Sequence, residues 1–380
     1  MYKKIISLGI CLLILAALPI PAAAKSNVDV KAPSAVLIEA DSRKVLSEKN
    51  PHEKRACASV TKVMTLLLVM EALDSGKLKL SDTLTASAHA ASMGGSDIWL
   101  EEGEKMSVDD LIKATAVASA NDAAVVLAEA ICGSEKTFVA EMNKKAKQLG
   151  MKDTVFKNCN GLDEKGHLTC AYDVAIMSAE LIKHKEIFKY TSIWIDELRG
   201  GKTQIVNTNK LLKSYKGITG LKTGTTDDAG CCMSASAERD GLSLIAVVLG
   251  CDSGTERFAD SAALLDYGFA EYTVKTLSLP EKAVKPVKVK GGMKETLYLR
   301  CEVPGTMIVK RVSGEKLLTE CKVKKDLQAP IKAGDTIGEV NYYSGKDLIK
   351  TCKITAKNTI EKMTFSSVVA QVCKSVTKIG

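Results

Sequence analysis

Aromatic side chains make up 4% of this 380-residue chain, and no run of lysine and arginine is interleaved with them. A nucleic-acid surface needs clustered cations and stacking rings, so that class of partner is set aside. Although there are twelve cysteines, no C-x-x-C spacing occurs among them, and nothing spells a zinc site. Internal repeats and low-complexity tracts are missing, which excludes repeat architectures. The longest apolar run, from Ile5 to about Leu18, is too short and wrongly flanked for a spanning helix.

That run has a different use. Lys3 and Lys4 precede it and Ala22-Ala23-Ala24 follow it, the layout of a secretory signal with a small-residue exit. Residues 1–24 are expected to be removed, leaving a mature chain that starts near Lys25. A retained N-terminal anchor is the competing reading. The two leader lysines account for part of the formal charge of +8, and the mild remainder fits a solvated surface. Without Cys11 the cysteines are odd in number and cannot all pair. Most read as small buried hydrophobes, including vicinal Cys231-Cys232 in an apolar run.

Patterning then divides the chain. "SAVLIEADSRKVLSEKN" predicts two strands around an Asp41-Ser42 turn. An apolar helix follows and stops near Gly76. Ser107 with Asp110 reads as a cap for "VDDLIKATAVA"; "DAAVVLAEAIC" stops at Gly133; Ser134 caps "EKTFVAEMNKKAKQL", which Gly150 closes. Strands return near Ile218–Thr223 and in "GCCMSASAERDGLSLIAVVLGC", a hairpin through Asp240-Gly241. "TERFADSAALLDYGFAEY" is the next helix. Strands from both ends of residues 25–275 with helices between them predict an α+β domain. From about Pro280 to 357 the alternation of apolar and polar residues predicts a small all-β domain. Residues 358–380 read as an amphipathic helix, with Ile360, Met363, Val368, Val372, Val376 and Ile379 on one stripe and lysines largely off it. Such a tail packs on its own protein or lies on an anionic membrane surface.

The chemistry starts at Ser59 and Lys62, an S-x-x-K pair at the head of the first helix. Ser313/Lys316 and Ser375/Lys378 match the same spacing without a catalytic setting. Residues i and i+3 share a helix face, so the Lys62 amine reaches the Ser59 hydroxyl. An apolar setting disfavours the charged lysine and makes the amine a base. Unpaired N–H groups at a helix start suit an oxyanion. A capping serine with a snorkelling lysine is the bland alternative. Two further motifs weigh against it. Ser119-Ala120-Asn121 is the sole S-x-N and Lys222-Thr223-Gly224 the sole K-T-G. Ser119 can relay a proton, Asn121 can hold a substrate carbonyl, and Lys222 with Thr223 can grip a carboxylate. Gly224 lets another backbone lie close.

The ordered S-x-x-K, S-x-N, K-T-G set resembles the penicilloyl-serine hydrolases and transferases. "ASVTKVMT", "SANDAA", "GLDEKGHLTCAYDVA", "NTNKLL" and "GLKTGTTDDAG" narrow the resemblance to low-molecular-mass penicillin-binding proteins that are D-alanyl-D-alanine carboxypeptidases. It implies a β-lactamase/transpeptidase-like catalytic domain, an antiparallel sheet flanked by helices with a helical subdomain. A β-rich C-terminal domain and a membrane-anchoring terminal helix would follow it. It implies Ser59 as the acylated nucleophile and Lys62 as its base, with Ser119 and Asn121 lining the cleft. Lys222 and Thr223 would receive the substrate carboxylate, and the backbone N–H groups of Ser59 and Thr225 would form the oxyanion hole. Arg257 would support carboxylate recognition. The substrate would be a peptidoglycan stem peptide ending in D-Ala-D-Ala, β-lactams would be acylating inhibitors, and no metal or organic cofactor is implied. The chain would act outside the cytoplasmic membrane.

Some positions depart from the resemblance. Ala120 stands where many relatives have glycine, and Thr225 where others have histidine. Cys170 and Asn160 also differ, at points expected to lie clear of the motif residues. A class A β-lactamase shares the three motifs, but its E-x-x-L-N loop is absent here. A β-lactam-sensing or wall-binding protein without turnover is the non-enzymatic alternative.

Overall fold

The computed structural model describes residues 28–302, 305–311 and 317–369. The expected leader, the comparison pairs Ser313/Lys316 and Ser375/Lys378, and the end of the tail lie outside these residues. The chain forms two compact units. One comprises the residues up to Arg239 with Ser243–Gly268, and the other Asp240–Leu242 with the chain from Phe269 onward.

The first unit is built on five strands, β1 (Ser34–Glu39), β2 (Val45–Lys49), β3 (Ile218–Thr226), β4 (Gly230–Arg239) and β5 (Leu242–Cys251), in the order β2-β1-β5-β4-β3. The expected hairpins form. Asp240 and Gly241 both take positive φ, 51° and 77°, which a two-residue turn between twisted strands requires. β1 pairs with β5 in register Val36↔Val247, so the two ends of the domain sequence meet mid-sheet.

Helices cover both faces. α1 (Lys62–Asp74) is apolar nearly all round because it is enclosed, packing on α3 (Asn121–Cys132) and α5 (Ala171–Leu181). α2 is Val108–Lys113, α4 is Glu135–Leu149 and α6 is Gly254–Glu271. Val36 and Ile38 point into the core shared with α1, while Leu37 on the other face lies against Gly268 of α6. The serine caps form as expected: Asp110 N donates to Ser107 Oγ at 3.1 Å and Thr137 N to Ser134 Oγ at 3.2 Å. The helix expected through "ATAVA" instead loosens after α2 into a single π-turn, Ala114–Ala118, ending at Ser119. Such turns recur at functional sites.

The second unit has an antiparallel sheet of β6 (Leu299–Cys301), β7 (Leu317–Val323), β8 (Thr336–Ser344) and β9 (Asp347–Ala356), in the order β6-β9-β8-β7. Its core includes Leu297, Val340, Tyr342 and Ile354. The tail departs from expectation. Helix begins at residue 365, and residues 358–364 are not helical. Ile360 N donates to Ile331 O at 2.8 Å, Ile331 N donates back at 2.9 Å, and the Ile360 side chain is 1% exposed in this core. A helical stripe that includes Ile360 is therefore corrected: β-domain packing claims that residue first. Met363, Phe365, Val368 and Val369 remain exposed. Among the described residues no helix is long and apolar enough to cross a membrane.

Candidate active site

Ser59 lies in a tight turn, Ala58–Thr61, that leads directly into α1. The i, i+3 spacing does what it predicted: Lys62 Nζ donates to Ser59 Oγ at 3.0 Å. It also donates to Asn121 Oδ1 at 2.5 Å and to the main-chain carbonyl of Asn160 at 2.7 Å. The side chain is fully buried. Burial pushes the amine down to about 7, although Cys159, Asp97 and Asp122 favour its charged form. Near neutrality a large share of Lys62 is therefore uncharged and able to accept a proton.

The S-x-N segment closes one wall. Ser119 adopts a left-handed conformation, φ 65°, at the end of the π-turn, and is 3% exposed. Ala120 takes φ −60°, ψ 121°, which any residue adopts, so this position does not require the glycine of many relatives. Asn121 is fixed on both sides, its Nδ2 donating to Gly94 O at 2.6 Å and its N to Ser96 O at 2.7 Å. The next residue, Asp122, accepts from Ile98 N and Leu100 N and so secures the facing loop.

β3 closes the other wall. A Cβ built on Gly224 would stand 2.7 Å from Cys57 O and 2.8 Å from Ser59 N. Only glycine lets this strand lie against the Ser59 backbone, the close approach that the sequence suggested. Lys222 is 2% exposed and donates to Thr223 O at 3.1 Å. Burial drives its amine well below the usual range, with repulsion from Lys62 and Arg257 adding to the effect. Thr223 Oγ1 shares a 2.6 Å hydrogen bond with Thr208. Arg257 donates through Nη1 to Gly224 O at 2.9 Å and to Thr225 Oγ1 at 2.8 Å, and its Nε is buried without a partner.

Hydrogen bonds and close approaches thus bring Ser59, Lys62, Asn121 and Gly224 together, with Lys222 close enough to feel the Lys62 charge. Arg257 is joined to Gly224 and Thr225, while Ser119 stands two residues before Asn121 at the end of the π-turn. One expectation fails: Asn160 does touch a motif residue. Its side chain turns away to Leu162 N, but its carbonyl accepts from Lys62. A main-chain acceptor leaves no trace in residue type. Cys170 does lie apart, accepting from Asp173 N as a helix cap. Also missed was Gly161, where a Cβ would fall 1.9 Å from Ala58 O.

A family model described as D-alanyl-D-alanine carboxypeptidase matches residues 21–253. The chain belongs to that family. A second model, the C-terminal domain of penicillin-binding protein 5, matches residues 272–362. The chain is 45% identical over 341 residues to D-alanyl-D-alanine carboxypeptidase DacF of Bacillus subtilis (strain 168), covering 88% of this chain and 87% of that one. Among solved structures, penicillin-binding protein 5 from Haemophilus influenzae superposes with a TM-score of 0.78 at 30% identity, over 88% of this chain and 98% of its own. Penicillin-binding protein D2 from Listeria monocytogenes, in its ampicillin-bound form, gives 0.59 at 34% identity over 64% and 99%. The fold is thus that of the penicillin-binding carboxypeptidases, and the family acts on the cell wall outside the cytoplasm.

Proposed function

We propose that this carboxypeptidase removes the terminal D-alanine of peptidoglycan stem peptides through an ester on Ser59. One observation carries the reading: a fully buried amine, brought down to about 7, stands 3.0 Å from a serine hydroxyl. Neutral Lys62 takes the Ser59 proton as Oγ attacks the carbonyl carbon of the D-Ala-D-Ala bond. The oxyanion that forms is held by the N–H groups of Ser59 and Thr225. This role is supported by how closely Gly224 lies to Ser59 N. The proton passes by way of Ser119 to the departing D-alanine amine. Lys62 then activates the water that cleaves the ester.

Lys222 and Thr223 receive the terminal carboxylate, and Arg257, which donates to Gly224 O and to the Thr225 hydroxyl, supports that recognition. A carboxylate entering beside Lys222 offsets the burial that disfavours its charge. Asn121 orients the substrate amide. β-Lactams acylate the same serine, and because the chain has no E-x-x-L-N glutamate, they leave slowly.

Incubation with a stem pentapeptide ending in D-Ala-D-Ala tests the proposal. Free D-alanine should accumulate, Ser59→Ala should abolish it, and intact-mass spectrometry should find a long-lived penicilloyl adduct on Ser59. Rapid benzylpenicillin turnover, or an adduct on another residue, would refute the reading.

Residues 1–24 are proposed to direct export, and the end of the chain to hold the enzyme peripherally on the membrane's outer face. The exposure of Phe365, Val368 and Val369 supports the second idea. Deleting the chain after Thr364 should release the protein from anionic vesicles; unchanged partitioning would count against an anchor.

A further inference from the structure

We propose that His167 is a positioning residue for the Ser59–Lys62 turn, acting through the Thr61 hydroxyl and the loop that supplies the Asn160 carbonyl. The inference rests on the acyl-enzyme reading above. Residues 156–167 form a loop whose ends are tied together, with Val155 N donating to Leu168 O at 2.8 Å and Leu168 N returning at 3.1 Å. This loop meets the catalytic turn and the start of α1 at several places. Gly161 lies against Ala58 O, His167 Nε2 is 2.9 Å from Thr61 Oγ1, Asn160 O accepts from Lys62, and Cys159 O accepts from Thr65 Oγ1 at 2.5 Å.

Of these contacts, only the one at His167 joins a loop side chain to a side chain of the turn. Lys157 N donates to His167 Nδ1 at 3.3 Å, so the ring proton sits on Nε2 and is donated to Thr61. Thr61 Oγ1 also lies 3.3 Å from Cys57 Sγ, which ties the residues on both sides of Ser59 to one ring. The Phe156 ring meets the imidazole edge to face, at 5.7 Å between centroids. His167 is 5% exposed, and burial pushes it down to about 4, with Asp163 favouring its charge and Lys157 opposing it. The ring is therefore neutral wherever Lys62 is partly neutral, and its tautomer is constant over the working range.

The consequence falls on Lys62. Its amine faces Asp97, Asp122, Cys57 and Cys159, repels Lys222, and relies on desolvation to lose its proton. A loop no longer fastened at Thr61 admits water beside Asn160 and returns the amine towards its ordinary basicity.

The test uses the full chain and follows acylation of Ser59 by a fluorescent penicillin across pH. His167→Leu should slow acylation about 10–100-fold, as expected when a catalytic group is displaced by roughly 1 Å. It should also move the acidic limb of the profile to higher pH by more than about half a unit. His167→Gln, which keeps a donor near the Nε2 position, should recover most of both. Thr61→Val is isosteric and removes the same bond from the other end, so it should repeat the shift. Wild-type limbs and rates in His167→Leu and Thr61→Val would overturn the proposal, even with a lowered melting temperature, because His167 would then merely fill space. Should His167→Leu not fold, Thr61→Val decides by the same criterion. A wild-type protein that takes no label would instead refute the underlying acyl-enzyme reading.

Discussion

The Lys62 amine and the Asn121 side-chain carbonyl are 2.5 Å apart, joining the first and second motifs by a buried hydrogen bond. Asn121→Asp would put a formal negative charge on that acceptor. An adjacent carboxylate favours the ammonium, so Lys62 should rise from about 7 towards its ordinary value. Penicillin acylation at pH 7 should fall by about tenfold or more and recover on raising the pH. A pH–rate profile identical to that of wild type would contradict this account.

In the unfolded chain Lys62 keeps its proton up to about 10.5, whereas in the fold it releases it near 7. Between those values the unfolded state binds more protons, so this residue's contribution to stability grows with pH, by at most about 1.4 kcal/mol per unit. The contribution is fully present above the unfolded value and is lost as pH falls through the folded one. Urea denaturation of wild type and Lys62→Ala between pH 7 and 10 should show the difference between them moving in that direction.

Gly224→Ala places a methyl group within 3 Å of Cys57 O, Ser59 N and Ala58 Cβ. The strand must withdraw from the nucleophile, and acylation should drop by about 100-fold or more. Gly161→Ala meets the Ala58 carbonyl more severely still and should also cost stability, about 2 kcal/mol or more. Melting temperatures read beside acylation rates separate the two cases.

Arg257→Ala removes the donor that braces Gly224 O and Thr225 Oγ1. For substrates ending in a free carboxylate, kcat/KM should fall about 10–100-fold. A matched substrate with an amidated C-terminus should lose much less. Equal losses would make the arginine a structural brace and not a recognition group.

Chain truncation distinguishes two parts of the tail. Removing everything after Lys357 takes away Ile360, a core side chain whose main chain makes two hydrogen bonds with Ile331, and should destabilise the second unit by about 2–5 kcal/mol. Removing everything after Thr364 should leave that unit's unfolding transition unchanged.

Much of the site was legible because its chemistry rests on side-chain identity at fixed spacing. Ser59 and Lys62 depend on one helical turn, and Lys222, Thr223 and Gly224 on consecutive strand positions. The serine caps and the Asp240-Gly241 turn are equally local, and each formed where expected. What could not be read depends on the main chain or on long-range competition. The Asn160 carbonyl is an acceptor that every residue type carries. The π-turn after α2 serves to deliver Ser119, a demand that helix propensity does not encode. Ile360 fits a helical stripe and a β core equally well, and only the isolated bridge to Ile331 decides between them.

Val36 sits opposite Val247 of β5, a partner contributed from the far end of the domain. Until that late segment is available, the early strands have only their own hairpin, and an isolated hairpin is marginal in water. Closing so large a loop is slow compared with local helix formation. A polypeptide wired in this way brings Ser59 and the strand beside it into register only once nearly all of the domain has been made.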